Sequence, residues 1–118
     1  MNLKHVQQLL DAEILSGEAH MEREVNTVFA CDLMSDVLSL IEDKTILLTG
    51  LVNLQTIRTA EMLDINAVVF VRGKIPDHET LKIAKENNIV ILSTKHILFT
   101  SCGILYNNGL KGAKLEYK

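Results

Sequence analysis

The sequence contains few of the residues from which common functional sites are built. Of its 118 residues, two are cysteines, one is proline and none is tryptophan, and aromatic residues make up only 4%. Single-stranded nucleic acids stack on aromatic side chains, and this chain offers few of them. Cys31 and Cys102 form no CxxC pair and lie in apolar runs. We therefore expect two reduced thiols that act as small core residues.

Charge and hydropathy argue against two further classes of partner. The formal net charge is −3 and no basic run occurs, so nucleic acid and anionic membrane surfaces are poor candidates. No apolar run approaches the ~18 residues that span a bilayer, and the polar start shows no signal pattern. The predicted location is therefore the cytoplasm. The length is that of one ordinary domain, which we place over residues 1–118.

The sequence also lacks a recognisable catalytic or metal-binding set. The four histidines, His5, His20, His78 and His96, are not spaced as metal ligands. No GxxxxGK[ST] or GxGxxG motif occurs. Cys102 lies in a helical pattern whose one nearby histidine is His96, so a buried cysteine is the better interpretation than a nucleophile. The sequence thus predicts a non-enzyme without a metal, and an enzyme acting on a phosphate ester stays a minor alternative.

What the chain does contain is a β-loop-α unit repeated three times. Apolar segments begin at residues 45, 67 and 89, so their starts lie 22 residues apart both times. Polar loops follow them at residues 50–53 (loop 1), 72–77 (loop 2) and 93–96 (loop 3), and each loop opens a helical pattern. Continuously apolar strands are typical of a parallel sheet that helices cover on both faces. The sequence therefore predicts an α/β three-layer sandwich with a mainly parallel sheet.

The remaining segments complete this prediction. Helices are expected at residues 3–11, 54–63, 78–86 and from loop 3 to about residue 106. Additional strands are expected at residues 12–16 and 25–31, with a polar loop at 17–24 between them, and a final edge strand at 112–118 would carry Leu115 and Tyr117. Asp32 is the predicted N-cap of a further helix. Its apolar stripe comprises Leu33, Met34, Val37, Leu38 and Ile41. The other predicted caps are Asn53, Asp77, and Ser93 or Thr94.

The three loops form the candidate ligand site, because the carboxyl ends of parallel strands meet at one edge of a sheet. Helix N-termini at that edge attract anions, and cations from loops 2 and 3 would add to the attraction. We predict a phosphate-bearing ligand there. Its predicted binding residues are Asn53, Arg72, Gly73, Lys74, Thr94 and Lys95. The alternative is that the charges are solvated and the hydroxyls are only helix caps.

Residues 52–105 resemble the DRTGG domain, a module found with CBS domains in some pyrophosphatases and related in fold to the N-terminal domain of HPr kinase/phosphatase. The second motif of that family, Thr-Gly-Gly followed by Pro, aligns with Val71-Arg72-Gly73-Lys74-Ile75-Pro76, which keeps one glycine and the proline. The third motif ends in Phe-x-Thr, and residues 94–100 keep Phe99 and Thr100. At the position of the first motif, Asp-Arg-Thr, the sequence reads Gly50-Leu51-Val52-Asn53-Leu54-Gln55, so the Asp-Arg pair is missing. The chain resembles a divergent, free-standing subgroup.

The resemblance implies a regulatory, non-catalytic domain that is often a homodimer. In some relatives the domain takes part in adenine-nucleotide binding, so an adenine nucleotide is the implied ligand, and no other cofactor is expected. Short members found near hydrogenase and sensor-kinase genes imply a hydrogenase-related or signalling protein partner. A second hypothesis therefore stays open: an interaction module without a ligand, which would dimerise or dock through the strand at 25–31 and the loop at 17–24.

Overall fold

The chain folds around one mixed β-sheet, which the computed structural model describes over residues 1–116. Its strands are β1 (Glu13–Ser16), β2 (Thr27–Ala30), β3 (Thr45–Thr49), β4 (Ala67–Phe70), β5 (Val90–Ser93) and β6 (Lys111–Gly112). The α-helices are α1 (Leu3–Leu9), α2 (Met34–Val37), α3 (Leu54–Met62), α4 (His78–Glu86) and α5 (Leu98–Asn107), and one turn of 3₁₀ helix spans Glu18–His20.

The sheet is mainly parallel, as the repeated units predict. The strand order is β1-β5-β4-β3-β2-β6, and only β1 pairs antiparallel among these strands of residues 1–116. The three repeat strands are adjacent, with Leu48 opposite Val69 and Val69 opposite Leu92. Because β2 to β5 run in one direction, the chain segments that follow them all emerge at the same edge.

Helices cover both faces of the sheet, so the three-layer prediction is confirmed. Side chains alternate between faces along each strand. Leu48, Val69 and Leu92 pack in the layer that holds α1 and α5. Leu47, Val68 and Ile91 pack in the layer that holds α2, α3 and α4. All six side chains are fully buried, because a central strand covered on two faces exposes neither set of side chains.

Two predicted helix caps are confirmed. The side-chain oxygens of Asn53 and Asp77 accept hydrogen bonds from the amides of Thr56 and Thr80, at 3.1 and 2.8 Å. These bonds satisfy amides that have no partner within the first turn of a helix. They fix where α3 and α4 begin, directly beyond loops 1 and 2.

The segment after β2 forms the predicted helix, but its predicted N-cap and most of its predicted apolar stripe are wrong. Helix α2 has only four residues, and its N-cap is Leu33, without a side-chain cap. Only Met34 and Val37 of the predicted stripe are buried, whereas the other three members, Leu33, Leu38 and Ile41, are 52–61% exposed. The chain leaves the helix after Val37, so the helical spacing of the later apolar residues does not produce one buried face. Asp32 instead accepts hydrogen bonds from Thr49 and Gly50.

The predictions at loop 3 and at the chain's end also need correction. Helix α5 begins after Ile97, not after Ser93 or Thr94, because both hydroxyls donate to carbonyl oxygens of other segments. The last strand is the two-residue β6, and Leu115 forms only an isolated bridge with Leu40. Tyr117, predicted to lie in that strand, is outside the described residues.

Candidate functional site

Loops 1 to 3 meet at the carboxyl edge of the sheet, where hydrogen bonds join them. The backbone amides of Arg72 and Gly73 donate to the carbonyl oxygens of His96 and Thr94, both at 2.8 Å. Lys74 Nζ donates to the Gly50 carbonyl oxygen at 2.9 Å. Loop 2 therefore contacts both of its neighbours, and the three loops form one surface. We call this surface, together with Asp32 beyond β2, the loop edge.

Loop 2 adopts an unusual backbone conformation at Arg72 and Gly73. Their φ angles are 61° and 67°, in the left-handed region. For a residue with a Cβ this conformation costs about 1 kcal/mol, which the two hydrogen bonds to loop 3 offset. Gly73 is thus suited to its backbone conformation, and its amide is already paired with Thr94. The cationic side chain of Arg72 remains exposed at the loop edge.

The other two predicted cations are Lys74 in loop 2 and Lys95 in loop 3. Lys74 is held against loop 1 by its bond to Gly50, but an ammonium group has three donors and can make further bonds. Lys95 is exposed, and its Cγ lies 3.9 Å from the position that a Cβ on Gly73 would take. The fold therefore brings the side chains of Arg72, Lys74 and Lys95 to one edge.

The two predicted polar residues already serve the protein's own structure. Asn53 Oδ1 accepts from the Thr56 amide, which leaves the side-chain NH₂ as the group that could meet a ligand. Thr94 is only 1% exposed, and its hydroxyl donates to the Leu10 carbonyl oxygen at 2.7 Å. That bond ties loop 3 to the end of α1. Thr94 is thereby placed beneath the surface on which the cations lie.

Asp32 is the member of the loop edge that the sequence interpretation missed. Its Oδ1 accepts from the Thr49 hydroxyl at 2.9 Å and from the Gly50 amide at 2.7 Å. The Gly50 amide, followed by Thr49 and then by the cations of Lys74 and Arg72, holds the pKa of the Asp32 carboxyl below its ordinary value, although partial burial opposes this. The carboxylate is therefore ionised at neutral pH.

A positional signal could have identified Asp32. Asp32 is the second residue after the end of β2, and β2 runs parallel to β3. The sequence interpretation counted three loops because three strands repeat with one spacing. The sheet places the end of a fourth strand at the same edge.

The loop edge offers donors, cations and the carboxylates of Asp32 and Asp77, without an activated nucleophile or a metal-ligand cluster among residues 1–116. No group of three or more His, Cys, Asp or Glu side chains in that range is arranged to hold a metal ion. Cys102 lies on α5, and burial raises the pKa of its thiol, which disfavours the reactive thiolate. This chemistry suits binding of a small polar ligand.

Two further surface observations bear on partners. A groove of about 340 Å³ lies beside α5, and Val28, Ala30, Phe99, Cys102 and Tyr106 are among its lining residues. Phe99 and Tyr106 are 84% and 72% exposed. Within the described residues, no helix is long and apolar enough to cross a membrane.

Comparison with known proteins identifies relatives of the fold. A sequence model of the DRTGG domain matches residues 5–107. The structure is similar to that of the CBS and DRTGG domains of the regulatory region of Clostridium perfringens pyrophosphatase, which was crystallised in complex with its activator, diadenosine tetraphosphate. The TM-score is 0.75 at 20% identity, over 88% of this chain and 45% of that chain, so the likeness concerns the fold of less than half of the relative. Comparison with curated protein sequences finds no match.

Proposed function

The chain belongs to the DRTGG domain family, and on that premise we propose that it is a non-catalytic regulatory domain that senses a phosphate-bearing ligand at its loop edge. The observation that carries the proposal is the convergence of Arg72, Lys74 and Lys95 on hydrogen-bonded loops beside the N-terminus of α3. Cations on a surface held by several hydrogen bonds bind anions without a large ordering cost. Asn53 would add an amide donor, and Gly73 and Thr94 hold loops 2 and 3 together beneath the ligand.

Among phosphate-bearing ligands, we propose an adenine nucleotide. The support is the structural relative, whose regulatory region binds a diadenosine polyphosphate activator. That region also contains CBS domains, and this chain corresponds to less than half of it, so the loop edge must be tested directly.

The test is isothermal titration of the purified protein with AMP, ATP and diadenosine tetraphosphate. Replacing Arg72 with alanine removes charge-assisted hydrogen bonds, so we expect roughly 10- to 100-fold weaker binding. Lys85→Ala is the matched control, because it removes one positive charge from the last turn of α4, away from the loop edge. If the protein binds none of the three nucleotides at millimolar concentration, the nucleotide proposal is wrong. Equal weakening by both substitutions would point to non-specific charge attraction.

The second candidate function is a dimerisation or docking module, and a specific observation favours it. Helix α5 contains no charged residue, whereas the exposed faces of α3 and α4 carry several. A helix without a charged face is typical of one that is covered on all sides. Phe99 and Tyr106 project from α5 beside the groove, and strand β2, predicted as part of the interaction surface, contributes Val28 and Ala30 to it.

Light scattering tests the homodimer directly. We expect Phe99→Glu to shift a dimer towards monomer without loss of stability, since the side chain is 84% exposed. Met62→Glu is the control, because Met62 is 71% exposed and lies on α3. A wild-type protein that stays monomeric at high concentration would remove the homodimer from consideration. A hydrogenase-related or signalling partner and the cytoplasmic location stay predictions from the sequence.

A further inference from the structure

Gly50 has no side chain, and the space over its Cα at the loop edge, which we call the recess, lies beside two groups of opposite charge. A Cβ built on Gly50 would lie 3.6 Å from a guanidinium nitrogen of Arg72. The same point is 3.7 and 3.8 Å from the two carboxylate oxygens of Asp32. The carboxylate and the guanidinium group therefore both lie within 4 Å of the same point over Gly50. They form no direct ion pair: within residues 1–116 the one ion pair shorter than 4.0 Å joins the N-terminus to Glu24.

The carboxylate of Asp32 is held in place but not saturated. Oδ1 already accepts two hydrogen bonds, from the Thr49 hydroxyl and the Gly50 amide. Among the described side chains and amides, none donates to Oδ2 within hydrogen-bond distance. An ionised carboxylate can accept about four hydrogen bonds, so Oδ2 is available to a donor in the recess.

The carboxylate of Asp32 and the guanidinium group of Arg72 limit which chemical groups can bind in the recess. A carboxylate only accepts hydrogen bonds, and a guanidinium group only donates them. A phosphate oxygen in the recess would accept from Arg72 but would place its negative charge against Asp32. A hydroxyl group can donate a hydrogen bond to the carboxylate of Asp32 and accept one from the guanidinium group of Arg72, so it suits both groups. The remaining N–H groups of Arg72, with Lys74 and Lys95, are then left for a phosphate on the same ligand.

We propose that the recess over Gly50 binds a sugar hydroxyl, which donates to Asp32 and accepts from Arg72. Resting on the function proposed above, this assigns the ligand to the nucleoside and sugar phosphates and excludes bare phosphate or polyphosphate. Asp32 is then a specificity-determining residue, which selects the sugar while the cations hold the phosphate.

Titration with matched ligands tests this assignment. The probes are ATP, 2′,3′-dideoxy-ATP, ribose 5-phosphate and inorganic tripolyphosphate. We expect the wild type to bind ATP roughly 10- to 100-fold more tightly than the dideoxy analogue, because the analogue leaves charged groups of the recess without a partner. Ribose 5-phosphate should bind and tripolyphosphate should bind most weakly. If ribose 5-phosphate binds as tightly as ATP, the ligand is a sugar phosphate; weaker binding indicates a nucleoside phosphate. Both results agree with the proposal.

Asp32→Asn is the informative variant, because an asparagine oxygen can still accept from Thr49 and Gly50 and so keeps loop 1 in place. We expect it to reduce the preference for ATP over the dideoxy analogue several-fold and to strengthen tripolyphosphate binding, since a negative charge is removed. Asp43→Asn, an exposed residue just before β3, makes the same change of charge and should leave the preference unchanged.

The outcomes separate this inference from the function on which it rests. If the wild type binds ATP, the dideoxy analogue and tripolyphosphate equally, the phosphate site stands and the sugar assignment is wrong. The sugar assignment is also wrong if the Asp32→Asn protein prefers ATP over the dideoxy analogue as strongly as the wild type does. If none of the probes binds, both the function and the assignment fail.

Discussion

Substitution of Gly50 by alanine should weaken ligand binding without weakening the fold. The added methyl group would fill the recess between Asp32 and Arg72, with its nearest neighbours at 3.6 to 3.8 Å. These distances are ordinary van der Waals contacts, and Gly50, unlike Gly73, does not adopt a left-handed φ. The methyl group therefore blocks the recess while the surrounding structure keeps its place.

The expected magnitudes follow from these contacts. Alanine reduces the conformational freedom of the unfolded chain, so the free energy of unfolding should be unchanged or rise by about 0.4–1 kcal/mol. Binding should lose the hydrogen bonds of the sugar hydroxyl, but water can then solvate Asp32 and Arg72, so the net loss should be that of one hydrogen bond to a charged group, about 1.5–3 kcal/mol. Affinity for ATP should therefore fall roughly 10- to 100-fold. The measurements are denaturant unfolding followed by circular dichroism and isothermal titration with ATP.

Gly103→Ala provides the control for this substitution. Gly103 lies on α5, and a Cβ there would meet no atom within 4 Å. It should leave ATP affinity unchanged. A Gly50→Ala protein that is stable and binds ATP as tightly as the wild type would refute the recess as a binding site. If the free energy of unfolding instead falls by more than about 1 kcal/mol, the methyl group does not fit over Gly50 without strain.

Two further predictions concern stability. Gly17→Ala should cost about 2–4 kcal/mol in urea unfolding, because Gly17 has a φ of 86° and its Cβ would lie 2.7 Å from Val90 Cγ2. Gly109→Ala, with a φ of 106° and open space around it, should cost only about 1 kcal/mol. Below about pH 4 the protein should lose stability, because amide hydrogen bonds from Gly50 and from the first turn of α4 lower the pKa values of Asp32 and Asp77 in the fold.

The sign of the acid effect follows from these lowered values. A carboxyl group with a lowered pKa in the fold stabilises it above its ordinary pKa of 3.8, and this stabilisation disappears as pH falls through the folded value. The Asp32→Asn protein should therefore lose less stability than the wild type between about pH 4 and pH 2. Equal acid sensitivity in the two proteins would contradict the hydrogen bonds assigned to Asp32.

Equal losses of stability for Gly17→Ala and Gly109→Ala would contradict the close approach of Gly17 to Val90.

Local patterns along the chain predicted most of the fold correctly. Four of its strands have either a continuously apolar or a β-rich sequence, and the equal spacing of three of them indicated parallel crossovers. The caps of α3 and α4 were predictable because Asn53 and Asp77 bond to amides three residues away. Such contacts depend on short stretches of chain, so the sequence alone is enough to locate them.

The predictions failed where polar side chains bond to distant segments. Thr94 was predicted as a possible cap or a ligand contact, but its hydroxyl donates to Leu10, 84 residues earlier in the chain. Asp32 was predicted as a cap, but it accepts hydrogen bonds from Thr49, the last residue of β3, and from Gly50 in loop 1. In both cases a local partner competes with a distant one, and only the packed sheet brings the distant one within reach.

The sequence by itself determined an α/β fold with a parallel sheet and a cationic edge, because apolar periodicity and strand order along the chain require no distant information. The tertiary structure decided how that edge is arranged. It pairs the amides of Arg72 and Gly73 with loop 3, buries Thr94 and brings Asp32 to face Arg72 across Gly50. The physical reason is the pairing of β2 with β3, which sets a carboxylate from one strand end beside the loop of the next.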